Sequence, residues 1–302
     1  MMGGNVMFQL QLTMFLLLGV GFVCARFGMF TAKGRETVVN VFINVMIPCS
    51  IIVAFYGSLT SEVLVRGIWM ILAYTVNLTF CWGAGKFLYR GVEGDKQGIL
   101  KYATIISNAQ FMGFPIVQAV MGEEGLMLAS LAMIPGTVFT WTIALAQFTK
   151  IDGRQGLKST LKHPCFLSVI IGVLLVSLRI PLHTSILDAM ERLGNCVMPI
   201  SMLIIGSILS DVKLKDILDW RLYYYSVIRL IGIPAVLYLS FTILRLDPVV
   251  KNVVVIMAAM PAGTVTAMLA EKHGANAQFA SQLIFVSTLL SVLTLSVLSI
   301  IL

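Results

Sequence analysis

Asn108-Ala-Gln-Phe-Met-Gly-Phe-Pro115-Ile-Val-Gln-Ala-Val-Met-Gly122 is apolar enough to cross a membrane, yet it carries Asn, two Gln, Gly and a proline near its middle. A proline donates no amide hydrogen bond, and its ring clashes with the carbonyl four residues back, here that of Phe111. A second stretch repeats the pattern: Val253-Val-Val-Ile-Met-Ala-Ala-Met-Pro261-Ala-Gly-Thr-Val-Thr-Ala-Met-Leu-Ala270, where Pro261 opposes Met257. Backbone groups freed inside hydrocarbon survive only where protein or a water-filled cavity satisfies them. Two broken helices at matched places predict a carrier with its substrate site at the breaks.

The rest of the chain agrees with a membrane setting. Its 302 residues are 58% hydrophobic and 12% charged, with a mean hydropathy of +0.94. A soluble domain carries about twice that share of charge. The net charge of +7 resides in short loops and is read as membrane topology, not as a nucleic-acid footprint. Five cysteines, Cys24, Cys49, Cys81, Cys165 and Cys196, all fall in or beside apolar runs. They form neither a disulfide framework nor a metal-ligand spacing, so they read as small core hydrophobes, and no cofactor is expected. The N-terminus lacks a basic n-region, so the first apolar segment is expected to be retained.

Runs free of charge, apart from Arg229 within 222–244, predict ten membrane helices. They lie at residues 1–25, 37–61, 67–85, 102–122 and 125–149, then 164–178, 193–210, 222–244, 252–270 and 275–302. A spanning helix needs about 20 residues, so 164–178 is expected to extend from Leu161 to Arg179. Fifteen basic residues fall in loops on one side, among them Arg35, Lys96, Lys162 and Lys215; five, Arg66, Arg179, Arg192, Arg245 and Lys251, fall on the other. The excess predicts a plasma-membrane protein with both termini on the extracytoplasmic side.

The two halves share a pattern. Asn44-x-x-x-Pro48-x-Ser50 matches Asn195-x-x-x-Pro199-x-Ser201, and Gly21 matches Gly172 at the same offset. Pro115 pairs with Pro261 at nearly that offset. Residues 1–149 and 164–302 therefore read as two five-helix repeats joined by a cytoplasmic linker at 150–163. An odd helix number inverts the second repeat against the first. The fold class is all-α, integral to the membrane, with broken, crossing helices 4 and 9.

After each proline a new half-helix is expected to start, its free amides and positive dipole end facing the break. Inverted symmetry brings two such ends together, which favours an anion. Asn108, Gln110, Gln118, Gly263 and Thr264 surround the breaks and are candidate substrate contacts with Pro115 and Pro261. Each amide could equally be interhelical glue. Ser50, two residues past Pro48, is a candidate for the cavity wall. Arg229 is the one charge well inside a run. It is a possible charge partner for an anion, although its place seven residues after Leu222 favours snorkelling to the cytoplasmic face or a structural partner. No Asp or Glu lies mid-span, so proton or sodium coupling has no obvious carrier; Glu271, at a helix end, is the best of the acidic groups.

Asn108-x4-Gly113-Phe114-Pro115 with Gly122 and Gly125 resembles the fourth-helix motif of the auxin efflux carrier family. Met260-Pro261-Ala-Gly263, Ala270-Glu271-Lys272-His273-Gly274 and Ser287-Thr288 are similar to that family's ninth and tenth helices. The resemblance covers essentially the whole chain, and the short linker makes it look like a bacterial member. It implies a scaffold of helices 1, 2, 6 and 7 and a transport domain holding helices 4 and 9. It also implies elevator-type alternating access, a homodimer, and a small carboxylate such as malate, malonate or an auxin-like acid bordered by Asn108, Pro115 and Pro261. A sodium-coupled carrier of the bile-acid type and a non-transporting sensor or scaffold are the competing readings. A membrane enzyme would need an intramembrane catalytic cluster, and the histidines lie in loops.

Overall fold

Three prolines show how this chain bends without breaking. Pro48, Pro115 and Pro234 each follow a π-helical turn, at Phe42–Met46, Ala109–Gly113 and Ile228–Gly232. In each, the amide of the residue before the proline reaches five residues back: Ile47 to Phe42, Phe114 to Ala109 and Ile233 to Ile228. The wider turn relieves the clash that proline imposes on a tight helix, so the chain bends and continues. Pro115 therefore does not break its helix, contrary to the expectation from sequence. The break lies seven residues earlier, ahead of Asn108.

The computed structural model describes residues 2–58, 61–148, 158, 160–212 and 217–301. Within the predicted linker at 150–163, residues 150–157 and 159 lie outside the described residues, as do Lys213 and Lys215. The helices are α1 (Met2–Arg26), α2 (Ala32–Val41), α3 (Ile47–Ser58), α4 (Ser61–Leu88), α5 (Asp95–Ile105), α6 (Phe114–Phe139) and α7 (Pro164–Ser177). There follow α8 (Thr184–Asn195), α9 (Val197–Leu209), α10 (Trp220–Val227), α11 (Ile233–Ile243), α12 (Pro248–Ala258), α13 (Val265–Lys272) and α14 (Ala277–Ile301). The described residues form no named strand.

Six helical stretches are long and apolar enough to cross a membrane: Lys33–Tyr56, Glu62–Leu88, Ala109–Gln147, Thr184–Leu209, Trp220–Ile243 and Ala277–Leu298. Shorter apolar helices add Leu12–Arg26, Pro164–Ser177 and Pro248–Ala258. The longest stretch, Ala109–Gln147, is two helices meeting at a kink, because Gly122 leaves helical geometry at φ 67°, ψ −158°. α7 does not extend to Arg179 as its length suggested. Arg179 turns left-handed at φ 50°, and its amide and that of Ile180 close back on Val176 and Leu175, which ends the helix.

The helices sort into two groups by what they touch. α1 lies along α9, and α3 lies along α7 and α8. Glycine sets these distances. A Cβ on Gly21 would fall 2.3 Å from the Leu203 carbonyl oxygen, and one on Gly206 would fall 2.0 Å from that of Leu18. At Gly172 the neighbour is the Phe55 side chain, 2.8 Å from such a Cβ. The second group gathers α4, α5, α6 and α10–α14. Arg66 of α4 ties it at one end, bonding Glu124 at 2.8 Å and Asp247, the cap of α12, at 3.2 Å. Lys96 of α5 bonds Asp219, the cap of α10, at 2.8 Å. One face of α4 (Leu64, Val65, Ile68, Trp69, Leu72, Val76) is exposed and wholly apolar, as a lipid-facing helix surface is.

Candidate functional site

Two unwound segments cross inside the second group. α5 stops at Ile105, and Ile106 is extended at φ −105°, ψ 106°. α12 stops at Ala258, and the chain is non-helical through Gly263 before Thr264 opens α13. The two segments meet antiparallel at a single bridge, Ser107 to Ala262. Asn108 donates its amide to the Pro261 carbonyl at 2.9 Å, and Gly263 donates to the Ile106 carbonyl at 3.3 Å. Ser107 donates its hydroxyl to the Met257 carbonyl at 3.2 Å, and Ser287 of α14 accepts the Ala262 amide at 3.2 Å. Each strand thus supplies the partners the other loses by leaving its helix, which is how non-helical backbone persists at membrane depth. Gly263 makes the approach possible, since a Cβ there would stand 3.2 Å from the carbonyl oxygens of both Ile106 and Ser107.

Four helix ends converge here. The upstream halves, α5 and α12, present carbonyls. The downstream halves begin after Asn108 and after Thr264, and present amides. Arg229 serves the carbonyl ends. It is fully buried, donates Nη1 to the Thr104 carbonyl at 2.7 Å, and donates Nε to the Met260 carbonyl at 3.1 Å. Tyr225, one turn earlier, donates its hydroxyl to the Ala103 carbonyl at 2.9 Å. Of the two expectations for Arg229, snorkelling to the cytoplasmic face is wrong, and the structural partner is what the fold provides. The π-turn that holds it points it inward, where two helix C-termini attract a cation.

At the amide ends several polar atoms are buried without a protein partner. They include Asn108 Nδ2, Thr266 Oγ1 and, on α14, Thr288 Oγ1. Each such group costs about 1–3 kcal/mol of desolvation until something bonds it. Pro261, Gly263, Thr264 and Asn108 are all buried at the crossing. Pro115 is buried within the first half-helix. Gln110 points elsewhere, donating to Cys165 Sγ at 3.1 Å, and Gln118 donates to Glu123 Oε1 at 2.9 Å. Ser50 lies in the first group against Gly194, its hydroxyl buried and unpartnered. Glu271 is exposed at the far end of α13, apart from the crossing.

The half-helix after Asn108 also meets the first helix group. Phe111 stacks on Phe42 at 4.8 Å, and Met112 and Ile116 share a cavity of about 20 Å³ with Met14, Leu18, Met202 and Thr288. A larger polar cavity, about 270 Å³, lies at the opposite end of α5 beside Asp95, Gln97, Lys101, Gln147 and His273. Sequence reading passed over Ser107 and the partner role of Ser287. Their signal was the placing of small hydroxyl residues in otherwise apolar runs: Ser107 before Asn108, and Ser287, Thr288 and Ser291 on one buried side of α14.

Residues 6–155 and 153–299 match the family described as membrane transport protein. The chain is 26% identical to an uncharacterized transporter of Methanothermobacter thermautotrophicus over 301 residues, covering 96% of this chain and 97% of that one. It is 23% identical to an uncharacterized transporter of Methanocaldococcus jannaschii over 295 residues, covering 94% and 95%. A protein of Rhizobium meliloti named "Putative malonate transporter" is 24% identical over 224 residues, 70% of this chain and 69% of that one.

Proposed function

Because the chain belongs to the membrane transport protein family, the auxin efflux carriers its motifs resemble, we propose that it is a secondary carrier of a small organic anion. The observation that carries this reading is the crossing: two helix N-termini and the unpartnered Asn108 side-chain Nδ2, all buried together. Amide ends and an amide donor complement a carboxylate. The family and its relatives are transporters, which sets enzyme chemistry aside. The relative named for malonate supports a carboxylate as cargo.

The same proposal takes the chain as ten spans in two inverted repeats. Two features favour it. The second span (Lys33–Tyr56) and the seventh (Thr184–Leu209) are both irregular just before their prolines, at Phe42–Met46 and at Cys196. The matched glycines Gly21 and Gly172 each seat a helix of the opposite repeat. In this reading the first helix group is the scaffold, with Ser50 in its wall, and the second group moves across it as an elevator. Thr264 stands at the second amide end. The polar cavity at Lys101 and His273 is the vestibule leading to α5. The carrier works as a homodimer in the cell membrane, with both termini outside.

The test is flux. Purified protein in proteoliposomes should move labelled malonate or a member of a mono- and dicarboxylate panel, and Asn108→Ala should cut that flux about tenfold or more, the loss of one buried hydrogen bond to a charged group. Unchanged flux in both Asn108→Ala and Pro261→Ala would remove the site from the crossing.

A further inference from the structure

We infer that Arg229 is the resident cation of the crossing, filling the place where an anion carrier would otherwise bind a coupling metal cation. Each helix C-terminus carries roughly half a negative elementary charge. One such end meets Arg229 at Thr104, in the last turn of α5, and beside it stands the Met260 carbonyl, in the unwound strand two residues past the end of α12. A small cation bound between the carbonyls would satisfy them. The guanidinium does so instead, with Nη1 on Thr104 at 2.7 Å and Nε on Met260 at 3.1 Å, while Nη2 is buried without a protein partner. Nη1 also lies 3.5 Å from Cys81 Sγ, which itself donates to Asn77 Oδ1.

The alternative use of a buried arginine is an ion pair, and the surroundings speak against it. Among the described residues no carboxylate stands within 4.0 Å of Arg229, although seven other ion pairs are formed. A buried guanidinium with no counter-anion is very costly unless fixed dipoles replace the anion. The C-terminal end of α5 and the Met260 carbonyl after α12 supply those dipoles. The carbonyl half of the crossing thereby has a cation without a bound ion, and the amide half keeps its positive character for the substrate. Because the arginine is covalently part of α10–α11, it travels with the crossing in every conformation. A carrier built this way needs no sodium or potassium at this point, and its affinity for substrate does not depend on them.

The inference uses no carboxylate, so it stands or falls separately from the cargo. Thermal unfolding of the purified full-length protein is measured in sodium, potassium, lithium and choline chloride at equal ionic strength. The wild type should melt at one temperature in all four. Arg229→Ala should melt lower and recover, saturably, with low-millimolar guanidinium or with a small alkali cation but not with choline, as a site filled by mass action does. Where Arg229→Ala is too unstable to purify, Arg229→Gln keeps the chain length and should show the same recovery. Arg229→Lys keeps a charge but lacks the fork that reaches both carbonyls. It should lie between wild type and the neutral variants and stay indifferent to the cation. Selective stabilisation of the wild type by sodium, potassium or lithium would overturn the inference. So would neutral variants that respond to guanidinium as the wild type does.

Discussion

The two broken helices reach the same crossing by different means. The first, α5 to α6, unwinds at Ile106–Asn108, where there is neither proline nor glycine, and its proline sits well inside the next helix. The second, α12 to α13, unwinds at Met260–Gly263 with both proline and glycine in the break. Proline therefore explains one break and not the other. What the two share is external: each unwound strand bonds the other, and Arg229 holds a carbonyl just before the first break and one at the start of the second. The first break is held open by its partner, whereas the second is also written into its own residues. The first should therefore tolerate changes that the second does not.

The largest contrast is expected between the glycines. At Gly263 a side chain meets fixed carbonyls, whereas at Gly113 the nearest atom is the flexible Met260 Cγ at 3.3 Å. Gly263→Val should lower stability by about 1–3 kcal/mol, the range for overpacking, and abolish transport. Gly113→Ala, in helical backbone, should come out within about 1 kcal/mol of wild type. Thermal unfolding of the two variants side by side decides it, and equal losses would dissolve the distinction between the breaks.

Next come the prolines. Pro261→Ala introduces a buried amide where the chain is not helical, a cost of about 1–3 kcal/mol if nothing accepts it. Pro115→Ala adds an amide inside a helix that a π-turn has already accommodated, and its stability should move by less than about 1 kcal/mol. Flux should follow stability, lost in Pro261→Ala and kept in Pro115→Ala. A smaller difference separates two serines. Ser287→Ala strands the Ala262 amide and should cost about 1–3 kcal/mol, whereas Ser107→Ala loses one ordinary hydrogen bond, about 0.5–1.5 kcal/mol. The reverse order would mean that the second strand is not held by α14.

This contrast also marks what could be read from the residues. Pro261 and Gly263 announce their own break, and an amide in an apolar run drew attention to Asn108, which lies at the crossing. The position of the first break was not legible, because it is imposed by a strand 150 residues away and not by local preference. The prolines misled at Pro115, where a π-turn absorbs the strain that the ring would otherwise cause. Arg229 was half legible, as a residue with a structural partner, and its direction was not. Its distance from the helix start fits snorkelling, and only the π-turn at Ile228–Gly232 shows which way it points. The all-helical fold and its membrane setting were plain, because they depend on composition and run length, and six of the helical stretches are long and apolar enough to cross. Gln110 and Gln118 share a helix with Asn108 but bond Cys165 and Glu123, a matter of facing that no spacing argument reached.

The central claim is that both amide ends of the crossing hold one anion together. Hydrogen–deuterium exchange tests it most directly, measured with and without the carboxylate that gives the highest flux. The account predicts added protection at Asn108–Met112 and at Gly263–Thr266 in the same experiment, diminished in Asn108→Ala. Protection at only one of the two segments, or at neither while the carboxylate still binds, would contradict it.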